Sequence, residues 1–186
     1  MIRSTRVKRV TKGQWLAVAL EELERGGVGA VRIERLAKIL SVSKSGFYFH
    51  FKDRKDLHVH LLDHWFHEYT EVVTSNPLLY KGDPAARLAA VAKLIQDYDL
   101  GKYDLAIRAW AKHDEAARQA VQRVTKARMD FLREIFREIG FEADELEMRT
   151  TLFVGYHTWE NATFGDMSER KCTRLRNRRL ALLTKP

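Results

Sequence analysis

The spacing of apolar positions is helical along almost the whole chain. Thr11 followed by Gln14 forms a capping-box sequence. After it, apolar residues recur at positions i, i+1, i+4, i+5 and i+8, and this pattern ends at Gly26-Gly27. This first stripe consists of Trp15, Leu16, Ala19, Leu20 and Leu23. No run alternates long enough to require a strand. The pattern therefore predicts an all-α fold whose first helix ends at the glycine pair.

The same periodicity and a series of capping residues predict the later helices. A second helix carries the apolar positions Ile33, Leu36, Ala37 and Leu40. A break at 41–43 leads to a short third helix from Lys44 to about His50, and Asp53 caps a fourth that ends before Pro77. Further caps, among them Asp144, predict helices at about 84–98, 103–112, 114–139, 145–165 and 168–183.

Residues 33–51 have the spacing of a DNA-reading helix-turn-helix. Ala37 is small where the two helices must cross closely, and Val42 is apolar inside the turn. Phe47 and Phe51 return to the core from the second helix of the motif. The exposed side of that helix suits base edges and phosphates, with Lys44, Ser45, Tyr48 and Phe49 around Gly46 and Ser43 as the cap. The alternative is a plain corner of two helices in another helical domain.

Charge divides the chain into three parts. The 186 residues carry a net charge of +8, of which residues 1–57 contribute +7 from 13 Lys/Arg and 6 Asp/Glu. Residues 58–169 carry −6, and residues 170–186 carry +7 with no acidic residue. A basic N-terminal third on an acidic body favours a phosphate-binding module. The arm of Arg3, Arg6, Lys8 and Arg9 is expected either to enter a minor groove or to remain a solvated tail.

The helix-turn-helix also carries a resemblance to a known family. Its residues are Leu36-Ala37, Val42 to Tyr48, His50-Phe51-Lys52 and Lys55-Asp56-Leu57. In these the chain resembles a TetR-type transcriptional regulator. The resemblance implies a homodimer that leaves its operator DNA when a small molecule binds. It also implies a DNA-binding domain at 1–57, and a helical ligand-binding and dimerisation domain at 58–186 that ends in a basic tail.

The resemblance assigns DNA contacts by position. Ser43, Lys44, Ser45, Gly46 and Phe49 would lie in or face the major groove, Tyr48 and His50 would touch phosphate, and Lys52 would hold phosphate at the start of helix four. Two positions depart from the family. Ser41 stands where the family usually has Gly, so we expect a strained left-handed residue there. The second helix lacks the usual Thr or Ser cap, and we expect Arg32 to contact phosphate instead.

Helix four places four metal-binding side chains on one stripe. His60, His64, His67 and Glu71 follow one another at helical spacing, which permits zinc or nickel. The apolar residues of that helix centre on the opposite side, so we expect a solvated polar face and neither a metal nor a cofactor. A metal-responsive regulator remains the alternative. His58 lies on the apolar side and is expected to pack at the junction with the DNA-binding domain.

The body is rich in aromatic residues that suit a pocket between helices. Such a pocket needs apolar walls and a few polar groups. The candidates are Trp65, Tyr69, Tyr98, Trp110, His113, Phe153, Tyr156 and His157. They favour an apolar or aromatic effector. We expect helix four to tilt when the effector binds, with Trp65 and Tyr69 transmitting the motion to the DNA-binding helices.

The last two long helices are candidates for the dimer interface. The helices at 114–139 and 145–165 carry apolar stripes wide enough to face both their own core and a second subunit. We expect Leu152 and Trp159 to lie in that interface. The alternative is core packing within a monomer.

Several classes of protein are disfavoured by what the sequence lacks. It holds no Gly-x-Ser-x-Gly, no Walker loop and no His-Glu-x-x-His, so it predicts no enzyme. No apolar run approaches the ~20 residues that cross a bilayer. No secretory signal is recognisable and the single Cys172 fits a reducing compartment, so we expect a cytoplasmic protein. The basic tail at 170–186 leaves open a general DNA-binding protein without an inducer.

Overall fold

The computed structural model describes residues 10–164 and 167–185, apart from the side chains of 161–164. Within those residues the chain forms helices joined by turns and contains no strand, which confirms the all-α fold. The basic arm at 3–9 lies outside the described residues.

The helices follow one another in the predicted order. The N-terminal part holds α1 Lys12–Gly26, a 3₁₀ turn Val28–Ala30, α2 Ile33–Leu40 and α3 Lys44–Tyr48. Helix α4 Arg54–Phe66 continues through a π-helical turn His67–Glu71 into α5 Val72–Thr74, and a 3₁₀ turn Pro77–Tyr80 follows. The body is completed by α6 Pro84–Asp97, α7 Asp104–Trp110, α8 Glu115–Ile139, α9 Ala143–Phe164 and α10 Glu169–Thr184.

The predicted capping box holds the start of α1. The Gln14 amide donates to Thr11 Oγ1 at 3.3 Å, and the Thr11 amide donates to Gln14 Oε1 at 2.8 Å. At the other end Gly27 adopts φ +67°, a conformation that favours glycine. Bonds between sequence neighbours therefore fix both ends of this helix, as the sequence predicts.

Some of the predicted helix ends are wrong in detail. Helix α9 begins at Ala143, so Asp144 lies inside its first turn, at the positive end of the helix dipole, instead of capping it. Ser43 and Ser168 precede α3 and α10, but neither side chain makes a capping hydrogen bond. Helix α3 ends at Tyr48, short of the predicted end, because the chain tightens there into a turn.

The turn between α2 and α3 contains the left-handed residue that the resemblance implied. Ser41 has φ +56° and ψ +43°. Its amide donates to the Lys38 carbonyl, and the Val42 amide donates to the Ala37 carbonyl, which closes the end of α2. A residue with a Cβ atom in this conformation costs about 1 kcal/mol.

Two clusters of buried apolar side chains hold the helices together. The first unites α1 to α4 with α7 and the start of α8, around Trp15, Phe47 and Trp65. The second lies among α6, α8, α9 and α10, around Phe136. Tyr69 packs against both clusters. Because α4 and α7 share one cluster with the helix-turn-helix, α3 is anchored directly to the body of the molecule.

Replacing Ser41 with glycine removes the Cβ atom from the left-handed position. We expect Ser41→Gly to raise the free energy of unfolding by about 0.5–1 kcal/mol, measured by urea denaturation followed by circular dichroism. Ser41→Ala keeps the Cβ atom and serves as the control, with no gain expected. A glycine variant less stable than the wild type would show that this residue carries no strain.

Candidate DNA-binding surface and internal cavity

Helix α3 presents one face to solvent because aromatic rings fix the opposite face. Phe47 is fully buried, with its ring centroid 5.5 Å from that of Trp15 and 5.1 Å from that of Phe51. Burying a side chain of this size contributes about 1.5–3 kcal/mol. Tyr48 and Phe49 are left 58% and 68% exposed. Two adjacent rings in water form an apolar patch of the kind that marks a contact surface.

The polar side chains of this face contact one another or an exposed neighbour. Lys44 Nζ lies 2.6 Å from Glu34 Oε1, and this hydrogen bond lowers the pKa of the Glu34 carboxyl. The Ser43 and Ser45 hydroxyl oxygens lie 2.7 Å apart. Exposed ion pairs contribute little to stability, so Lys44 can exchange Glu34 for a phosphate or a base edge at small cost.

Two other predicted DNA contacts already bind main-chain carbonyls. His50 Nε2 donates to the Val10 carbonyl at 2.8 Å, so the neutral ring offers only an acceptor at Nδ1. Arg32, at the residue before α2, donates from Nε to the Gly29 carbonyl at 2.9 Å. Donation to phosphate through these two atoms therefore requires the side chains to leave their carbonyl partners, although the Nη1 and Nη2 groups of Arg32 carry further N–H donors.

The last two predicted contacts differ in where they face. Lys52 is exposed beside the start of α4, and its amide donates to Asp56 Oδ2 at 2.9 Å. The Cβ position of Gly46 lies 3.9 Å from Trp15 and from Val42, so Gly46 is on the inner side of α3. The exposed side of α3 is therefore built from its side chains and not from a bare glycine.

A narrow cavity lies in the body. It is surrounded by the π-helical turn and by helices α5, α6, α8 and α9. Its volume of about 40 Å³ has room for a few water molecules. The wall is mostly apolar and includes Val73, Val91, Ile95, Leu100, Phe131, Leu132 and Val154. Polar side chains enter it from Thr70, Thr74, Arg128 and His157. An organic molecule larger than this volume requires the surrounding helices to move.

Three of the predicted pocket residues line this cavity, namely Tyr69, Phe153 and His157. Tyr156, beside His157 in sequence, donates its hydroxyl to Glu160 at 3.0 Å instead. The three that do reach the cavity come from two different elements, the π-helical turn and α9.

The remaining predicted pocket residues lie elsewhere. Trp65 is fully buried in the first core cluster. Trp110 packs edge-on against His58, with ring centroids 4.9 Å apart, which confirms His58 as a packed histidine whose pKa is lowered by burial. Tyr98 and His113 are exposed at the surface.

Arg128 joins three elements at the cavity wall, and the sequence reading missed it. Its guanidinium binds both carboxylate oxygens of Asp104, which is fully buried at the start of α7. Arg128 Nε donates to Thr70 Oγ1 at 3.0 Å, and Nη2 donates to the Tyr69 carbonyl at 3.2 Å. Both acceptors lie in the π-helical turn, a feature frequent at functional sites. Arg128 therefore ties that turn to α7 and α8.

A chain of contacts runs from the cavity to α1. The Tyr69 ring packs edge-on against Tyr103, with centroids 5.1 Å apart. Tyr103 donates its hydroxyl to Glu21 Oε1 at 2.6 Å, and Lys102 Nζ lies 2.6 Å from the same oxygen. These bonds lower the pKa of the Glu21 carboxyl, and burial together with Glu21 raises the pKa of Tyr103. The wall of the cavity is thus in contact with a helix of the N-terminal part.

The histidine stripe of α4 does not assemble into a metal site in the described part of the chain. His60 Nε2 lies 3.0 Å from Lys12 Nζ, and His67 Nδ1 pairs with Glu71. Among the described residues no three His, Cys, Asp or Glu side chains converge. The metal-responsive alternative therefore has no ligand set there. No described helix is long and apolar enough to cross a membrane.

The fold and the exposed face of α3 together define a helix-turn-helix DNA-binding protein. Residues 16–61 match the family model of bacterial regulatory proteins of the tetR family. The match assigns a tetR-type helix-turn-helix domain to these N-terminal residues. Among curated proteins, none matches the chain.

Solved structures share the fold over nearly the whole chain. FadR from Bacillus subtilis in complex with stearoyl-CoA has a TM-score of 0.67 at 20% identity, covering 94% of this chain and 98% of that one. A transcriptional regulator from Rhodococcus has a TM-score of 0.75 at 14% identity, covering 94% and 96%. Reduced NemR from E. coli has a TM-score of 0.68 at 16% identity, covering 94% and 95%. At these identities the similarity establishes the fold.

Breaking the Arg128–Asp104 pair leaves a charge without its partner in the interior. We expect Asp104→Leu to lower the free energy of unfolding by about 3–5 kcal/mol. The double variant Asp104→Leu with Arg128→Met removes both charges and should lose less than the single variant. Guanidinium denaturation of both variants and of Arg128→Met completes the cycle. Strictly additive losses would show that the two side chains do not stabilise each other.

Proposed function

We propose that the protein is a repressor that binds operator DNA as a homodimer and releases it when a small apolar molecule enters the body. The observation that carries this role is the exposed face of α3, held in place by the buried ring of Phe47 in a TetR-type helix-turn-helix. Residues 1–57 form the DNA-binding domain and residues 58–186 the ligand-binding and dimerisation domain. The role requires no catalytic site, and DNA as the proposed partner supports a cytoplasmic location.

The proposed docking places residues 43–50 in the major groove. Tyr48 and Phe49 supply the exposed apolar patch, and Lys44 can leave Glu34 to reach a base edge or phosphate. Lys52 supplies a phosphate contact beside the start of α4. His50 donates to phosphate through Nε2 only after leaving the Val10 carbonyl, whereas Arg32 can donate through its Nη groups while Nε stays bonded to Gly29.

An exposed apolar stripe on α9 supports the homodimer. Met148, Leu152 and Trp159 are each about half exposed, and their spacing of 4 and 7 residues places them on one side of the helix. Gly155 lies on the same stripe and lets a facing helix approach closely. Large apolar side chains aligned in this way are buried by a partner in a two-fold dimer.

The response to a ligand is proposed to pass through the cavity wall. FadR, which is similar in fold, was solved with stearoyl-CoA, and this supports a small-molecule effector. In this chain Tyr69 lines the cavity and contacts Tyr103, which bonds Glu21 of α1. A ligand that displaces Tyr69 would therefore shift α4 and α1 together. Trp65, buried in the shared core, would move with α4 without touching the ligand.

The DNA docking is tested with duplexes selected from a random pool by the full chain. Lys52→Ala should weaken binding to every duplex by a similar factor and reduce the slope of log K against log salt by about 0.9, because one phosphate contact is lost. Lys44→Ala should reduce the ratio of affinities for selected and scrambled duplexes, because a base contact is lost. Fluorescence anisotropy over a salt series measures both effects.

The control is Lys93→Ala, which removes a lysine that pairs with Asp97 on α6 in the body. It should leave affinity and salt slope unchanged. Wild-type protein that binds selected and scrambled duplexes equally would identify a general basic DNA-binding protein instead of a sequence-specific regulator.

Dimerisation is tested by placing a charge in the α9 stripe. We expect the wild type to show about twice the chain mass of 21.7 kDa in light scattering. The variant Trp159→Glu should show the mass of one chain, because a charge would be buried in the interface. Leu78→Glu places the same charge at an exposed apolar residue outside the stripe, and that variant should remain dimeric. Circular dichroism checks that both variants fold. A folded Trp159→Glu dimer would place the interface elsewhere.

A further inference from the structure

The imidazole of His157 is the most deeply buried polar ring in the cavity wall. The residue is 7% exposed, and its ring packs against Phe153 with ring centroids 4.6 Å apart. Nδ1 lies 3.0 Å from Glu160 Oε2, and Glu160 is not part of the wall. Nε2 is buried and has no hydrogen-bond partner among the described residues. His157 thus lines the cavity with one ring nitrogen, Nε2, that has no partner among the described residues.

The contact with Glu160 fixes which ring nitrogen carries the proton. A carboxylate only accepts hydrogen bonds, so Nδ1 is the donor and Nε2 of the neutral ring presents a lone pair. Burial lowers the pKa of His157 and outweighs the opposing effect of Glu160, and the charges of Arg179 and Arg128 act in the same direction as burial. The group that His157 offers to the cavity is thus a hydrogen-bond acceptor.

Arg128, the charged side chain of the wall, is already engaged. All three nitrogens of the Arg128 guanidinium donate to protein acceptors, on Asp104, Thr70 and Tyr69. The carboxylate of Asp104 neutralises the charge of Arg128 at its side. An anionic ligand would therefore meet a compensated arginine and the lone pair of His157, whereas a hydroxyl donor would satisfy the buried acceptor.

We propose that the cavity binds a small apolar molecule that carries one neutral hydroxyl group, an alcohol or a phenol, whose O–H donates to His157 Nε2. The apolar part of that molecule lies among the aliphatic and aromatic side chains of α6 and α8, such as Val91, Ile95 and Leu132. The volume of about 40 Å³ favours a slim molecule that enters by separating the helices. This assignment rests on the ligand-binding role proposed above and names the class of ligand.

The test compares three probes of similar size in isothermal titration calorimetry with the full chain: 1-hexanol, methyl pentyl ether and hexanoate. Hexanol and the ether have the same number of heavy atoms, but only hexanol donates a hydrogen bond. We expect hexanol to bind roughly ten-fold more tightly than the ether, and more tightly than hexanoate. The ¹⁵N shift of His157 Nε2 should change when hexanol binds and stay unchanged with the ether.

Three variants test which residue accepts the hydrogen bond from the hydroxyl group. His157→Phe keeps a ring against Phe153 and removes Nε2, so the preference for hexanol over the ether should fall to about two-fold or less. Thr74→Val removes a different polar group of the cavity wall, a hydroxyl, and should keep the preference for hexanol over the ether. His157→Gln retains an acceptor in a smaller side chain and covers the case in which the phenylalanine variant fails to fold.

Each outcome decides between the site and the ligand class. Equal binding of hexanol and ether to the wild type leaves the ligand-binding cavity in place and overturns the role of His157. If Thr74→Val loses the preference for hexanol over the ether while His157→Phe keeps it, the role of His157 is likewise overturned. Tighter binding of hexanoate, lost in His157→Phe, would show a protonated ring and overturn the neutral hydroxyl class. Binding of none of the three probes would overturn this inference and the ligand-binding part of the proposed function, while DNA binding would stand.

Discussion

The buried ion pair of Arg128 and Asp104 is the contact on which the arrangement around the cavity depends. Asp104 has no exposed surface, and a carboxylate in that position is stable only when its charge and hydrogen bonds are satisfied. Arg128 meets this need and also donates to the Tyr69 carbonyl and the Thr70 hydroxyl. These two bonds stabilise the π-helical turn, because one backbone carbonyl and one buried hydroxyl of the turn have a donor. One guanidinium thus sets the relative positions of α4, α7 and α8.

This arrangement explains how a site in the body is mechanically joined to the exposed face of α3. Leu57, Leu61, Leu62 and Trp65 of α4 are buried in the same cluster as the helices of the N-terminal part. Tyr69, in the continuation of that helix, is partly buried and packs against both clusters. Displacement of the π-helical turn would reach α3 through packed side chains, since interiors are close-packed and transmit shifts. The contact from Tyr103 to Glu21 gives the same displacement a second path.

The parts of the structure that depend on near neighbours in sequence could be predicted, and those that depend on distant neighbours could not. The capping box at Thr11 and the glycine pair at the end of α1 fix that helix locally, and the sequence predicts both. The cavity wall uses Val91, Ile95 and Leu132, which look like any core positions until α6 and α8 are packed. Arg128 left one signal: it lies 4 residues after Val124 and 3 before Phe131, on the buried stripe of α8, where a charge requires a partner.

The small volume of the cavity has a consequence for time as well as for affinity. A site of about 40 Å³ between packed helices admits a larger molecule only when those helices separate. Entry and exit then both depend on that separation, so a tightly held molecule would exchange slowly even when it is abundant outside. Cells carrying such a regulator would respond with a delay set by the rate of opening, and would retain the response for a comparable period after the molecule has gone.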